Sequence, residues 1–537
     1  MADLDDIRYF GPPDPLDTDE AAPSPGGLPP IPEEVLERHN ARVLDPKTAP
    51  ALPGFPVSST IYRADDLLIP DRQRKNFDVY SATLEKLLGL TLVDDSQGNA
   101  AFARGVLRPS DPTRPAVVDA WLALQTLRSV LSPDDMEGVG LNHLLVGTAM
   151  GGIGGSSGTL RGVPGAVNGG PYGLDELGYW RRPVSLKIPR PARLPDARVV
   201  GRRPVIAVLD TGKSKNTWLD AYPQGTTDFM VVDEELQADI DAKALPGEAP
   251  GGWEDVPFAS DPLVGELSTH SGHATFITGL IQQVEPDATV LSIRVMHNDG
   301  IASSGVISYA LSQLLARVVA AQSPTSTAQD RAKMVDIVSL SLGNFLEGDF
   351  GAAQRDELTK AIDELRGRGV IVVAAAGNFA SSREFYPAAL AKRTGGEDPV
   401  TNGGPPVISV GALNPNLTRS LFSNDNDRWV TCWARGAALV STFPQATNAA
   451  RAAALRIFKR IRPALVTEND PINFRESMES DDYSGGFAMW SGTSFATPLV
   501  VGKLAQLLLN SPVSSLAHTD TIKRAAAAIQ RLGGENT

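Results

Sequence analysis

The segment VIAVLDTG, residues 205–212, decides the fold of the larger part of this chain. It is a short, continuously apolar stretch that ends in Asp210, followed by Thr-Gly. A continuous apolar strand is typical of a parallel sheet that is covered on both faces, and open α/β sheets place their functional groups at the carboxyl ends of such strands. Asp210 is therefore a candidate site residue, although an aspartate after a strand also commonly forms a turn or caps a helix.

Strand and helix patterns alternate from Pro204 onward, which predicts an α/β domain over residues 204–537. The apolar runs predict strands at 204–209, 289–295, 336–342, 370–376 and 407–412. The amphipathic runs predict helices at 304–321, 352–367 and 494–509.

A second segment, SGHATFITG (271–279), places His273 at the expected start of an apolar helix. An imidazole that accepts a proton and returns it must be held rigidly, and a packed first helical turn provides this. His270, three residues earlier, raises the alternative of a zinc site of the H-x-x-H type. Such a site needs a third ligand and often an intervening glutamate, whereas Ser271 and Gly272 occupy the gap.

Two further segments supply a hydroxyl and an amide. SGTSFATP (491–498) places Ser494 at a helix start, where backbone N–H groups face a developing oxyanion, although serine is also a common helix cap. AAAGN (374–378) places Asn378 after a strand, where its amide can donate to the same oxyanion or form a turn. A serine hydroxyl needs a base to become nucleophilic, and the four segments together offer acid, base, alcohol and amide donor. They predict a serine hydrolase.

VIAVLDTG, GHATFITG, SLSLG, AAAGN and SGTSFATP, in this order, resemble the motifs of the subtilases, the subtilisin-like serine peptidases. The order Asp, His, Ser is that of subtilisin and differs from that of the α/β-hydrolases. The resemblance covers roughly residues 204–527. It implies a subtilisin-like three-layer sandwich with a mostly parallel sheet, and a serine endopeptidase that needs no cofactor and acts on polypeptide substrates.

The resemblance also implies a role for each matching residue. Asp210 becomes the orienting acid, His273 the general base, Ser494 the nucleophile and Asn378 the oxyanion donor. Six further residues are implied to bind substrate, the first three as a strand edge to which a peptide adds and the others as a border of the pocket for the residue before the cut: Ser341, Leu342, Gly343, Ala375, Ala376 and Gly377.

Two features depart from the family pattern. Ala274 and Phe276 replace the glycine and second histidine that usually follow the base, and both are expected to be helix-packing positions. About 445–482 is an apparent insertion, whose acidic MESDDY stretch either favours basic substrates or forms a solvated loop. Within it, residues 446–466 predict a basic helix that packs its apolar face on the domain, or else lies on a membrane surface. No calcium-loop signature stands out, so calcium is left open.

The N-terminal part divides into three segments. Residues 1–57 are rich in proline and acidic residues and predict a disordered tail, apart from a short helix within 32–42. Residues 58–147 follow the order β-α-β-β-α-β, a split βαβ (ferredoxin-like) α+β domain. Residues 148–203 predict a linker, first glycine-rich and then basic and proline-rich, whose arginines either stay solvated or line the neighbouring domain.

Two hypotheses account for the small domain. Subtilases are commonly made with a propeptide of this topology, so residues 58–147 are interpreted as an inhibitory, folding-assisting unit that is removed by a cut within 147–204. Alternatively they form an adaptor that binds a protein partner. At the level of the whole chain, a non-catalytic peptide-binding protein and an esterase or transacylase with the same triad are the competing interpretations.

The composition limits the kinds of partner that the protein is expected to bind. The net charge of −14 argues against a nucleic-acid partner. The N-terminus lacks the features of a secretory signal, and no apolar run reaches the roughly 20 residues of a membrane span, so a cytoplasmic protein without a membrane partner is expected, with non-classical export left open. Cys432 is the single cysteine, which precludes an intrachain disulfide and predicts a buried thiol.

Overall fold

The architecture comes from a computed structural model of the chain. It describes residues 7–9, 28, 31–52, 57–95, 102–149, 181–244, 251–252, 254, 267–348, 357–394, 403–445, 456–458, 474–476, 482–512 and 515–534.

The described residues form strands and helices that are numbered here in chain order. The strands are β1 (Arg8–Tyr9), β2 (Ala41–Val43), β3 (Ile61–Pro70), β4 (Leu90–Asp94), β5 (Phe102–Pro109), β6 (Gly140–Gly147), β7 (Arg182–Pro183), β8 (Val205–Asp210), β9 (Met230–Val231), β10 (Thr289–Arg294), β11 (Ile301–Ser303), β12 (Ile337–Leu340), β13 (Leu342–Gly343), β14 (Ile371–Ala375), β15 (Ile408–Leu413), β16 (Cys432–Arg435), β17 (Leu439–Thr442), β18 (Arg456–Phe458), β19 (Phe474–Glu476) and β20 (Phe487–Trp490). The α-helices are α1 (Glu33–Arg38), α2 (Phe77–Leu88), α3 (Ala120–Val130), α4 (Glu234–Asp241), α5 (His273–Val284), α6 (Ser304–Gln322), α7 (Ala328–Ala332), α8 (Glu357–Arg366), α9 (Thr493–Leu509) and α10 (His518–Gly534).

The larger unit is built on an eight-stranded sheet in the order β1-β16-β15-β14-β12-β8-β10-β9. All neighbouring pairs are parallel except β1 with β16. Alternate side chains of β8 enter different cores: Ile206 packs with residues of α5 and α9, whereas Ala207 packs with residues of α6 and α8. The sheet is therefore covered by helices on both faces, and the predicted three-layer α/β fold is confirmed.

The smaller unit is an antiparallel sheet in the order β6-β3-β5-β4, with α2 and α3 packed on it. Its own apolar core contains Tyr80 of α2, Leu124 of α3 and Leu67 of β3. The observed order, strand–helix–strand followed by strand–helix–strand, is the order that the sequence predicts for residues 58–147.

Strand β6 links the two units. One edge of it pairs with β3 of the small sheet, while β11 and β13 of the larger unit pair with its last residues. The small sheet therefore continues across the domain boundary, and the chain that leaves β6 runs directly to the carboxyl end of the central sheet.

Two predictions fail in their details. The segment 1–57 is not simply a disordered tail, because β1 extends the central sheet beside β16, α1 forms at the predicted place, and β2 pairs with β3. The predicted helix over 446–466 is contradicted where it is described, because β18 pairs with β19 as a short antiparallel hairpin. The rest of that prediction and most of the MESDDY stretch lie outside the described residues.

One described helix, α6, is long and apolar enough by length and composition to cross a membrane. Most of its apolar window is buried, and Leu311 and Leu314 pack in the same core as Leu209 of the central strand. This is the packing of a core helix.

Residues 181–203 of the predicted linker lie against the larger unit, whereas its residues 150–180 lie outside the described residues. The guanidinium of Arg193 is buried and donates to the carbonyl of Thr227 (2.8 Å), the carbonyl of Pro286 and Oγ1 of Thr289 (2.9 Å). Arg203 pairs with Asp287. These arginines line the domain, as one of the two sequence interpretations holds.

We expect Arg193→Met to lower the free energy of unfolding by roughly 2–4 kcal/mol, because the carbonyls of Thr227, Pro286 and Ala288 lose this donor and Ala288 is buried. Urea denaturation measures this change. Arg198→Met, at an exposed position in the short turn Asp196–Arg198, is the control and should change stability by less than about 0.5 kcal/mol. Equal losses in the two variants would contradict this role for Arg193.

Candidate active site

Asp210 and His273 form a hydrogen-bonded pair. Asp210 ends β8, and both its carboxylate oxygens lie within 2.8–2.9 Å of Nδ1 of His273 at the start of α5. Both side chains are buried. Because an ionised carboxylate only accepts, Nδ1 carries the proton and Nε2 is left as the basic nitrogen. This is the arrangement that the two sequence motifs predict.

Local contacts fix the turn that carries His273. Gly272 has φ +79°, and a Cβ there would lie 2.5 Å from the Phe443 ring, so only glycine fits. The Oγ1 of Thr211 accepts a hydrogen bond from the backbone N of Ala274 at 3.0 Å. The carboxyl group of Glu254 accepts from the backbone N of Gly272 and from Oγ of Ser214. Hydrogen bonds to the backbone N of Gly272 and of Ala274 therefore hold the turn in which α5 begins.

Ser494 lies in the first turn of α9 and is buried. Its Oγ shares a 2.7 Å hydrogen bond with Oγ1 of Thr148 and lies 3.2 Å from the carbonyl oxygen of Ser341. It makes no hydrogen bond to His273, whose Nε2 is buried without a partner among the described residues. The acid and base are thus paired as predicted, whereas the hydroxyl is engaged by another residue.

That residue, Thr148, also presents its carbonyl group to the predicted amide donor. The carbonyl oxygen of Thr148 accepts from Nδ2 of Asn378 at 2.6 Å and from the backbone N of Ser494 at 3.1 Å. A Cβ on Gly492 would lie 2.5 Å from the same oxygen, so the glycine of the SGTS motif permits the approach. Two donors therefore converge on one peptide carbonyl, beside the serine hydroxyl.

The residues before Thr148 lie along the predicted substrate edge. The backbone N of Thr148 donates to the carbonyl of Ser341 (3.1 Å), and β13 pairs Leu342 with Gly147 and Gly343 with Val146. On the other side, the backbone N of Gly147 donates to the carbonyl of Gly300 at 2.8 Å. The edge formed by Ser341, Leu342 and Gly343 is thus occupied by the end of β6.

The remaining predicted substrate-binding residues, Ala375, Ala376 and Gly377, directly precede Asn378 in the chain. Oδ1 of Asn378 accepts from the backbone N and Oγ1 of Thr493, both at 2.9 Å, and Oγ1 of Thr493 in turn accepts from the backbone N of Gly377. These bonds orient the Asn378 amide. Ala375 and Ala376 are buried at the end of β14, and their predicted place beside the pocket stays a prediction.

The H-x-x-H zinc alternative is not supported by the geometry of its two histidines. His273 gives Nδ1 to Asp210, and the His270 ring packs edge-to-face against the His273 ring at 5.1 Å. Burial, followed by the nearby His273, holds the pKa of His270 well below its usual value, so the ring is neutral.

A different cluster could hold a metal ion by its residue types. His39, His297 and Asp299 bring one ligand atom each within 4.8 Å of the others. Arg38, however, donates to the same Asp299 oxygen at 2.6 Å, and the contacts of His39 and His297 with that carboxylate hold its pKa well below the usual range against the effect of burial. The cluster reads as an ion-paired contact between α1 and the loop before β11.

Sequence reasoning missed Thr148, Glu254 and the role of Thr493. Nothing in the sequence marks Glu254, which lies far from any motif. Thr148 could have been suspected, because it is the first residue after the predicted small domain. Ala274 and Phe276, where the sequence departs from the family pattern, are buried packing positions, as expected.

The chain is similar in sequence to a known protein family. The model of the subtilase family matches residues 201–531, more than half of the chain. The chain belongs to the subtilase family. The match contains Asp210, His273, Asn378 and Ser494, whereas the small N-terminal unit lies outside it.

Individual subtilases are only distantly similar. Thermitase from Thermoactinomyces vulgaris is 27% identical over 231 residues, which are 41% of this chain and 67% of thermitase. Subtilisin amylosacchariticus from Bacillus subtilis subsp. amylosacchariticus is 23% identical over 54% of this chain and 58% of that protein. The intracellular serine protease of Paenibacillus polymyxa is 26% identical over 46% of this chain and 55% of that protein. The chain spans between about half and two thirds of the length of these subtilases.

Solved subtilase structures are similar at low identity. Fervidolysin from Fervidobacterium pennivorans, a keratinolytic enzyme related to subtilisin, gives a TM-score of 0.44 at 15% identity, over 87% of this chain and 57% of fervidolysin. A cold-adapted subtilisin-like serine proteinase gives 0.33 at 18% identity, over 60% of this chain and 82% of that protein.

Glu254 provides a pH test of the turn that holds His273. Burial, aided by the nearby Asp210 carboxylate, raises the pKa of Glu254 from 4.5 to about 7. The folded subtilase therefore binds this proton more tightly than the unfolded chain, so the stability that Glu254 contributes is fully present below pH 4.5 and is lost as pH rises through 7. In a Ser494→Ala background, Glu254→Gln should remove up to about 3 kcal/mol of that fall.

Urea denaturation at pH 4.5, 6 and 8 checks this expectation. Glu364→Gln, at an exposed position of α8, serves as the control and should leave the pH dependence unchanged. A constant difference between the Glu254→Gln protein and its parent at all three pH values would contradict the raised pKa.

Proposed function

We propose that this protein is a serine endopeptidase whose own N-terminal unit occupies the active site and is its first substrate. Its family supports serine peptidase activity. The observation that carries the finer proposal is the placement of the Thr148 carbonyl oxygen, which accepts hydrogen bonds from both Asn378 and the backbone N of Ser494. A peptide carbonyl held by two donors beside a serine hydroxyl is positioned for acyl transfer. The bond proposed for cleavage joins Thr148 to Ala149.

The first half of the reaction forms an ester. The hydroxyl of Ser494 leaves Thr148 Oγ1 and turns to Nε2 of His273, which is free to accept its proton. The Ser494 oxygen then attacks the carbonyl carbon of Thr148, and Asp210 stabilises the imidazolium that forms. Asn378 and the backbone N of Ser494 stabilise the negative oxygen of the tetrahedral intermediate.

The second half releases the two fragments. The imidazolium gives its proton to the nitrogen of Ala149, which leaves as a free amine, while Thr148 remains esterified to Ser494. A water molecule, deprotonated by His273, then hydrolyses the ester, so that Thr148 ends as a carboxylate and Ser494 regains its proton. These steps use only protein groups and water.

The N-terminal unit is proposed to inhibit the enzyme after it has been cut. Strand β6 pairs with β11 and β13 through residues that precede Thr148, so a cut after Thr148 does not by itself break these pairs. His143 of β6 bonds to Glu347 at 2.6 Å, and Arg383 donates to the carbonyl of Ser59 at 2.8 Å. Peptide substrates need the edge that β6 fills, so these contacts favour the propeptide interpretation over a separate adaptor.

Self-cleavage provides the first test. Wild-type protein should yield a fragment that ends at Thr148 and one that begins at Ala149, whereas Ser494→Ala should remain a single 56.9 kDa chain. Intact-mass spectrometry and N-terminal sequencing of the purified proteins distinguish these outcomes. Ser129→Ala, on the exposed side of α3, is the control and should be cut like wild type. Cleavage of the Ser494→Ala protein at the same bond would refute the proposed nucleophile.

Removal of the side-chain donor provides the second test. In subtilisin, a member of this family, loss of the corresponding asparagine donor costs about 10²–10³ in kcat. Asn378→Asp keeps an acceptor for Thr493 but removes the N–H group, so we expect cleavage after Thr148 to slow by at least about 10². Time courses of fragment formation measure the rate, with thermal unfolding as a check on folding. The exposed Asn416→Asp should not alter the rate, and an undiminished rate in a folded Asn378→Asp protein would contradict the role of the amide.

A further inference from the structure

The residue before Thr148 is packed against a histidine that the proposed reaction does not use. Thr148, whose carbonyl is attacked, is termed position −1, and Gly147 is then position −2. A Cβ added to Gly147 would lie 2.6 Å from both Cδ2 and Nε2 of His270 and 3.2 Å from Sδ of Met296. Non-bonded carbon and nitrogen atoms do not approach to 2.6 Å, so even an alanine has no room at this place.

The backbone at position −2 cannot shift to make room. The backbone N–H of Gly147 donates to the carbonyl of Gly300, and the backbone N–H of Thr148 donates to the carbonyl of Ser341. Leu342 pairs with Gly147 from the neighbouring strand β13. Moving this segment away from His270 therefore breaks strand pairing and withdraws the Thr148 carbonyl from its two donors.

The imidazole of His270 is equally confined. Its ring lies against Gly300, where a Cβ would collide with Nδ1, and edge-to-face against the His273 ring. Its backbone N donates to the carbonyl of Asn298 at 2.9 Å, and its carbonyl accepts from the backbone N of His273 at 3.0 Å. The side chain is wholly buried and holds no charge that could draw it toward solvent.

We propose that His270 makes this peptidase selective for glycine at position −2, so that its substrates are extended polypeptides with glycine one residue before the residue that is attacked. The inference rests on the proposed function, since it assigns the end of β6 as a bound substrate. His270 is a specificity-determining residue in this account. The proposed cleavage site in this chain has glycine at position −2, because Gly147 precedes Thr148.

A double-mutant cycle on self-cleavage tests the contact. Gly147→Ala should slow cleavage after Thr148 by about 10- to 100-fold, the scale of an overpacked site. The double variant Gly147→Ala/His270→Ala should be cut within a few-fold of His270→Ala alone, because the second substitution opens the space. Gly140→Ala is the control: it makes the same change in the same strand, and a Cβ there meets nothing within 4 Å.

A second cycle keeps the inference testable if no cleavage occurs. In a Ser494→Ala background, Gly147→Ala should lower the melting temperature of the full chain by several degrees, and His270→Ala should cancel most of this loss in the double variant. Coupling in this cycle without any wild-type cleavage would refute the peptidase proposal and leave the glycine preference as a binding property. Absence of coupling would overturn the preference, even in an active enzyme.

Peptides in trans extend the test to other substrates. With the processed wild-type enzyme, a series that differs only at position −2 should give kcat/KM at least about 10-fold higher for glycine than for alanine, serine or valine. His270→Ala should reduce the glycine-to-alanine ratio to within about 3-fold, whatever its effect on the absolute rates. Equal rates for all four peptides in wild type, or an unchanged ratio in His270→Ala, would contradict the proposal.

Discussion

The carbonyl oxygen of Thr148 lies between two hydrogen-bond donors, Nδ2 of Asn378 and the backbone N–H of Ser494. The way in which the small unit joins the larger one depends on this contact. Residues 57–147 form their own sheet, but the last strand of that sheet must run along β13 to deliver Thr148 to the donors. The end of the small unit is therefore anchored at the two donors of the larger one, and the His143–Glu347 contact also joins the two units.

The position of Thr148 also explains why the Ser494 hydroxyl is hydrogen-bonded to Thr148 and not to His273. Thr148 brings its hydroxyl as well as its carbonyl to Ser494, and the shared hydrogen bond at 2.7 Å holds the serine oxygen away from the imidazole. Nε2 of His273 is then left without a partner while Nδ1 stays bonded to Asp210. The proposed reaction requires the Ser494 hydroxyl to leave Thr148 and donate to Nε2 of His273, which completes an Asp–His–Ser row.

Much of this could be predicted from sequence, because the informative signals are local. Asp210 ends strand β8, and His273 and Ser494 lie in the first turns of α5 and α9. Each motif therefore predicts by itself where its residue lies in the fold. The pairing of Thr148 with Ser494 joins residues 346 positions apart and leaves no local pattern, so it had to be seen in the structure. The helix predicted over 446–466 failed for a related reason: helical periodicity in Arg456–Phe458 is outweighed by pairing with Phe474–Glu476. The spacing of His270 and His273 by itself suggests a pair of metal ligands, whereas the close approach of His270 to Gly147 gives it a steric role.

The central claim is that the uncut chain holds its own Thr148–Ala149 bond as a substrate. A crystal structure of the uncleaved Ser494→Ala protein tests this most directly, since that substitution keeps the backbone N–H donor. The account predicts the Thr148 carbonyl oxygen within hydrogen-bond distance of both Asn378 Nδ2 and the backbone N of residue 494, with Gly147 in contact with His270. A structure in which the cleft is empty, or holds a different segment of the chain, while residues 57–148 are folded elsewhere would contradict it.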